Sequence, residues 1–350
     1  MKIGLAGYSG SGVTTLLALL SGDAGLASRH GGPEIRSISL NDPRLEQLVE
    51  VFDARKATPV QVDVVELGDL RPEEGGGLKR ETLARAAGLD ALVLVLRGFS
   101  VPTSAACRPG AELAEELQSL MQEFAIADLM PIENRLERLS KEGKISSREA
   151  QLLIRLKEEL EEGRPIRGMG LDKEEVRVLS GYQFLTLAPL MVVANIGEEG
   201  VSEPLYADID RRCAEEGAVY MQTAALAELE LMELPEGERG PFLEELGITS
   251  PTRDRFLEGL FQLLDLIIFY TVSEKEVRAW TVPDGTPAVK AAGKIHSDME
   301  RGFIRAEVIS VRECVELGSL AKAREAGKLR VEGKEYPMRD GEVLHVRFNV

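Results

Sequence analysis

The residues most able to do chemistry stand at the start of the chain. An apolar run, Lys2-Ile-Gly-Leu-Ala-Gly7, leads into Tyr8-Ser-Gly10-Ser11-Gly12-Val13-Thr14-Thr15, and Leu16, Leu17, Leu19 and Leu20 follow. Strand, glycine loop, hydroxyl residue and helix in this order form the layout of a phosphate-binding loop. Gly7, Gly10 and Gly12 let successive N–H groups, Ser11 among them, converge on phosphate oxygens. Val13, Thr14 and Thr15 then open a helix whose positive end faces the same point. Thr14 stands where a hydroxyl ligates Mg²⁺. The position that holds Lys in such loops is Val13. Loss of that charge-assisted hydrogen bond weakens phosphate binding by about 10- to 150-fold. Phosphoryl transfer, where charge builds up, suffers more.

Two further stretches complete the candidate site. Val64-Val-Glu66-Leu-Gly-Asp69 ends an expected strand. Glu66 reaches Mg²⁺ through water, and Asp69 occupies a place where a glycine amide would meet the terminal phosphate. Asn195-Ile-Gly-Glu198 follows another strand at the spacing of a base-recognition motif but lacks its Lys and Asp. Asn195 offers a donor and an acceptor to adenine, so the chemistry leans to adenine over guanine. Thr223 and Ala224, after the next strand, are expected beside Asn195 and Glu198 as base-binding residues.

A parallel sheet must hold these pieces together. Runs at 2–7, 60–67, 91–96, 190–194 and 218–222 read as strands, several apolar on both faces. Their alternation with helical patterns predicts an α/β, doubly wound sheet. Residues 111–184 read instead as two amphipathic helices in an antiparallel hairpin: Leu129, Ile132, Leu136 and Leu139, then Leu152, Leu156 and Leu160, with Gly143 between. From 266 onward the pattern is strand-rich, with turns at Asp284-Gly285 and Asp340-Gly341. The expected division is a nucleotide-binding domain of 1–110 and 185–265, an inserted helical arm of 111–184, and a small α+β domain of 266–350.

Composition narrows the function. At 350 residues and 44% apolar content the chain builds two or three ordinary cores. It has no apolar run of eighteen and no signal-peptide pattern, so no membrane partner is expected. Cys107, Cys213 and Cys314 are scattered, read as buried hydrophobes, and fit a reducing compartment. From Ser273 onward 14 basic residues face 13 acidic ones, so of the net charge of −17 the first 272 residues carry −18 and the rest +1. Such a body repels nucleic acid, and any RNA contact belongs to the near-neutral C-terminal part.

Taken together, the chain resembles the Obg-like ATPase (YchF) family of P-loop proteins. The resemblance is carried by Phe269-Tyr-Thr-Val-Ser-Glu-Lys-Glu-Val-Arg-Ala-Trp280, Ala292-Gly-Lys-Ile-His296, Glu300-Arg-Gly-Phe-Ile-Arg-Ala-Glu-Val-Ile309 and Asp340-Gly-Glu-Val-Leu-His345. Asp42-Pro-Arg-Leu45, Glu133-Asn-Arg-Leu-Glu-Arg-Leu139 and Asn195-x-x-Glu198 add to it. It implies a C-terminal TGS (ubiquitin-like) domain, ATP preferred over GTP, Mg²⁺, association with the ribosome or ribosomal RNA rather than DNA, and a cytoplasmic monomer. The chain departs from the family at Val13, Glu66 and Asp69. His30 lies near the place of the missing switch Thr, and the loop after Arg97-Gly-Phe99 lacks the family's catalytic His. The expectation is a ribosome- or RNP-associated binding module with weak or lost nucleotide hydrolysis. The alternative is a slow Mg²⁺-dependent ATPase using other groups. Lys275, Arg278, Lys290, Lys294, Arg301 and Arg305 are candidate RNA contacts. His30, His296, His345 and Trp280 read as structural.

Overall fold

In the computed structural model the described residues are 1–26, 34–72, 77–99, 111–197, 203–246, 248 and 250–349. His30, Cys107, Glu198 and the loop of 100–110 lie outside them. Among the described residues the strands are β1 Lys2–Gly7, β2 Ile35–Ser39, β3 Ala57–Thr58, β4 Gln61–Asp69, β5 Ala91–Gly98, β6 Leu190–Ile196, β7 Ala218–Thr223, β8 Leu266–Val272, β9 Val277–Pro283, β10 Phe303–Ser310, β11 Arg330–Glu332 and β12 Glu342–Phe348. The chain divides into two compact units, Met1–Ile38 with Asp63–Gly259 and Ser39–Val62 with Leu260–Val350.

The first unit is built on a sheet of order β2-β4-β1-β5-β6-β7. Strands β4, β1, β5, β6 and β7 pair in parallel. The apolar runs of β5 and β6 are buried on both faces, as a central parallel strand requires. β2 was not foreseen: its sequence Ile-Arg-Ser-Ile-Ser buries only Ile38 fully, as suits the end of a sheet.

The first arm helix runs much further than the leucine repeat indicated, from Ala111 to Lys141. Leu113, Leu117, Leu120 and Phe124 pack into the core over the sheet. Ile132 and Leu139 instead join Leu152, Leu153, Leu156 and Leu160 of the helix Arg148–Glu161 in a second core. Asp128 lies between, accepting from the N–H groups of Leu185 and Thr186 at 2.9 and 2.8 Å and from the Thr186 hydroxyl at 2.6 Å. One helix therefore belongs to both the sheet and the arm.

The second unit has a mixed sheet of order β11-β10-β12-β8-β9-β3. The helix Ala288–Ile295 covers one face, and the helices Pro43–Phe52 and Val311–Leu317 cover the other. The segment 39–62, within the expected nucleotide-binding domain, thus lies in this unit. The physical reason is apolar: Leu45 and Leu48 bury themselves among Ile268, Tyr270, Val277 and Ile309. Asp42 caps the helix through the Arg44 N–H at 3.0 Å and also accepts from the Tyr270 hydroxyl. Arg44 bridges to Asp340 at 2.5 Å.

Candidate functional site

The glycine loop is shaped by two residues in the left-handed region, Gly10 at φ +86° and Gly12 at φ +92°. A Cβ on Gly12 would fall 2.0 Å from the Asn195 amide nitrogen, and one on Gly7 would fall 2.5 Å from Val95 O. These flanks are closed by protein. Among the described residues, chain neighbours aside, a Cβ on Gly10 would meet only Arg97 Nη1, at 4.0 Å, so on that side they leave the loop open. Ser11 is buried, and its hydroxyl has no hydrogen-bond partner among the described residues.

Asn195 ties the loop to the next strand. Its amide donates to Ser11 O at 2.9 Å, and its carbonyl accepts from the Ala225 N–H at 3.2 Å. β6 and β7 place Asn195 opposite Thr223. The Thr223 hydroxyl faces inward, 3.1 Å from Glu228 and 2.7 Å from Thr252. Ala224, also buried, caps the helix Ala225–Leu231. Of the expected base-binding residues, Asn195, Thr223 and Ala224 therefore stand together, and Asn195 and Thr223 direct hydrogen bonds into the protein.

Thr14 and Glu66 meet directly: the Thr14 hydroxyl donates to a Glu66 oxygen at 2.9 Å. The other Glu66 oxygen faces the Glu34 N–H at 3.4 Å. Among the described residues no group of three metal-ligating side chains exists. A hydroxyl and one carboxylate suit Mg²⁺ of the kind that keeps waters and leans on phosphate oxygens. Thr15 and Val13 are half-buried in the first turn of the helix Val13–Ser21.

Asp69 sits opposite Gly7 in the sheet and accepts from the Ser9 N–H at 3.1 Å. Arg71 grips it at 2.6 Å. Partial burial raises the Asp69 pKa, but the bonds from Arg71 and Ser9 outweigh that and hold it below the usual range. The negative charge of Asp69 is therefore largely answered by Arg71.

The comparisons with known proteins follow this geometry. A model of the YchF-GTPase_C family, described as a protein of unknown function (DUF933), matches residues 266–349. Across 361 positions the chain is 37% identical to the ribosome-binding ATPase YchF of Pasteurella multocida, covering 100% of this chain and 99% of that one. The chain belongs to the YchF family. A second YchF, the ribosome-binding ATPase of Bacillus subtilis, is 33% identical with 100% of each chain covered. The solved Schizosaccharomyces pombe YchF GTPase superposes with a TM-score of 0.83 at 25% identity, covering 99% of this chain and 97% of that one.

Sequence reasoning about this YchF member missed two groups beside the loop. Arg97 ends β5, and its N–H donates to Glu116 at 3.3 Å. Burial pushes the Glu116 carboxyl up to about 7, against the pull of the Arg97 N–H and guanidinium, and its second oxygen is unpartnered. Ser119, one turn on, bonds the Tyr8 hydroxyl at 3.0 Å. The available signal was a charged residue closing an all-apolar strand, at the end where doubly wound sheets bind ligands.

Of the histidines, His296 and His345 lie among the described residues. His296 Nδ1 accepts from the Asp298 N–H at 3.1 Å, and burial beside Arg347 lowers the half-buried His345. Trp280 packs on the second unit's core, donates to Thr271 at 3.0 Å and carries Arg278 over its ring at 4.1 Å. Lys290 pairs with Glu300, and Arg301 with Asp298. Arg278 lies on the Trp280 face of the sheet, whereas Arg305 alternates onto the opposite face with Glu307 and Ile309. The six basic residues therefore do not share one face. No helix of the described residues is long and apolar enough to cross a membrane.

Proposed function

We propose that this YchF member is a ribosome-associated binding module that holds a purine nucleoside triphosphate, ATP in preference to GTP, with little or no hydrolysis. The observation that carries the reading is a glycine loop, with Gly10 and Gly12 left-handed and Asn195 hydrogen-bonded to Ser11, that has Val13 where a phosphate-binding loop has its cation. Loop N–H groups would hold the phosphates, and Thr14 with Glu66 would hold Mg²⁺. The metal would neutralise phosphate charge. Ribosome association comes to this chain from the names of its relatives.

Calorimetric titration of ATP and of GTP, each with Mg²⁺, into the parent and the Val13→Lys protein tests the reading. ATP binding in the parent, tightened about 10- to 150-fold by Val13→Lys, is the expected outcome. Absence of binding in both proteins defeats it. Glu116 favours a second reading, slow hydrolysis: a carboxyl near pKa 7 beside the loop is suited to proton transfer. Multiple turnovers abolished by Thr14→Ala would mark that case.

A further inference from the structure

The geometry points to Arg97 as the cation that Val13 does not supply: from the end of β5 it contacts the terminal phosphates of a triphosphate held on the glycine loop. This rests on reading the loop as a nucleotide site. The position carries the first argument. Among the described residues, the chain neighbours of Gly10 aside, Arg97 Nη1 is the sole atom within 4.0 Å of a Cβ built on Gly10. In the sheet Arg97 pairs with Asn195, the residue that fastens Ser11. Two adjacent strands therefore deliver one side chain that fixes the loop and one that overhangs it.

The second argument is that the guanidinium, its electrostatic pull on the Glu116 carboxyl aside, is not paired among the described residues. Among the described residues it makes no hydrogen bond or salt bridge, although Arg97 is half-buried. Only its backbone N–H is bonded, to Glu116. Arg71, by contrast, is consumed by Asp69. A half-desolvated guanidinium keeps its charge and its five N–H donors, and its planar fork matches phosphate oxygens. A lysine in the loop and an arginine from a neighbouring strand deliver the same charge from different places, so either one suffices.

The test is calorimetry of ATP and ADP, with Mg²⁺, against the parent and the Arg97→Gln, Arg97→Lys and Arg97→Gln/Val13→Lys proteins, with thermal melts of each. The expected result is ATP affinity about 10- to 150-fold weaker in Arg97→Gln, with a smaller loss for ADP and an unchanged melt. Arg97→Lys should keep most of the affinity, and the double variant should regain the parent value to within about tenfold. An Arg97→Gln protein that binds ATP as the parent does overturns the inference and leaves the nucleotide reading standing. A parent that binds neither nucleotide overturns both. If Arg97→Lys falls with Arg97→Gln in melting as well as affinity, the residue is structural and the inference fails.

Discussion

Two charged clusters in this protein are built on opposite plans. Around Asp42, in the second unit, each group has partners: Asp42 receives the Arg44 N–H and guanidinium and the Tyr270 hydroxyl, and Arg44 also reaches Asp340. Around the glycine loop, in the first unit, the Arg97 guanidinium, the Ser11 hydroxyl and one Glu116 oxygen have no hydrogen-bond partner among the described residues. A closed network fixes a structure, whereas unpaired polar groups mark a place shaped for something not in the chain. Both regions contain arginine and carboxylate, so residue type alone does not separate them.

The contrast breaks most visibly if the closed cluster proves expendable. Asp42→Ala removes a helix cap and strands a tyrosine hydroxyl and an arginine, so urea unfolding should show a loss of about 3 kcal/mol. ATP affinity should not change. An unaltered midpoint would erase the distinction. Gly12→Ala comes next. It forces a left-handed residue to carry a Cβ into the Asn195 amide, at a cost of about 2 kcal/mol, and it should weaken nucleotide binding as well.

A smaller effect sharpens the comparison through pH. Glu116 is raised in the fold from 4.5 to about 7, so its contribution to stability is complete below pH 4.5 and is lost as pH climbs through about 7. Asp42 behaves oppositely. Burial lifts its pKa, the bonds from Arg44 and Tyr270 more than offset this, and its contribution holds above 3.8 and is lost as pH falls through the lower folded value. Glu116→Gln should flatten part of the decline between pH 4.5 and 7 in denaturation midpoints. A slope identical to that of the parent would argue against it. The smallest change is expected for Arg97→Leu, whose unfolding free energy should stay within about 0.5 kcal/mol of the parent because no side-chain hydrogen bond or salt bridge is lost among the described residues.

Legibility followed the range of the forces involved. The apolar run at 91–96 identified β5 because both faces of that strand are buried. The glycine spacing identified the loop because left-handed Gly10 and Gly12 are a local backbone demand. Asp42-Pro-Arg-Leu45 contributed only to the family resemblance, and nothing local revealed that Leu45 and Leu48 pack against residues more than two hundred positions away. Arg97 was invisible for the same reason: its closeness to Gly10 exists only once β1 and β5 are paired. The split of the long helix between two cores was hidden as well, because its apolar positions keep one period throughout.

That helix is also a lever. Near its start Glu116 and Ser119 touch β5 and the phosphate loop, and its far end is gripped by the arm's own packing. About 22 residues separate Ser119 from Lys141, roughly 33 Å of helix with Pro131 inside it. For a straight helix of that length every degree of tilt at the loop becomes about 0.6 Å of travel at the tip, and Pro131 is where such a tilt would be absorbed or passed on.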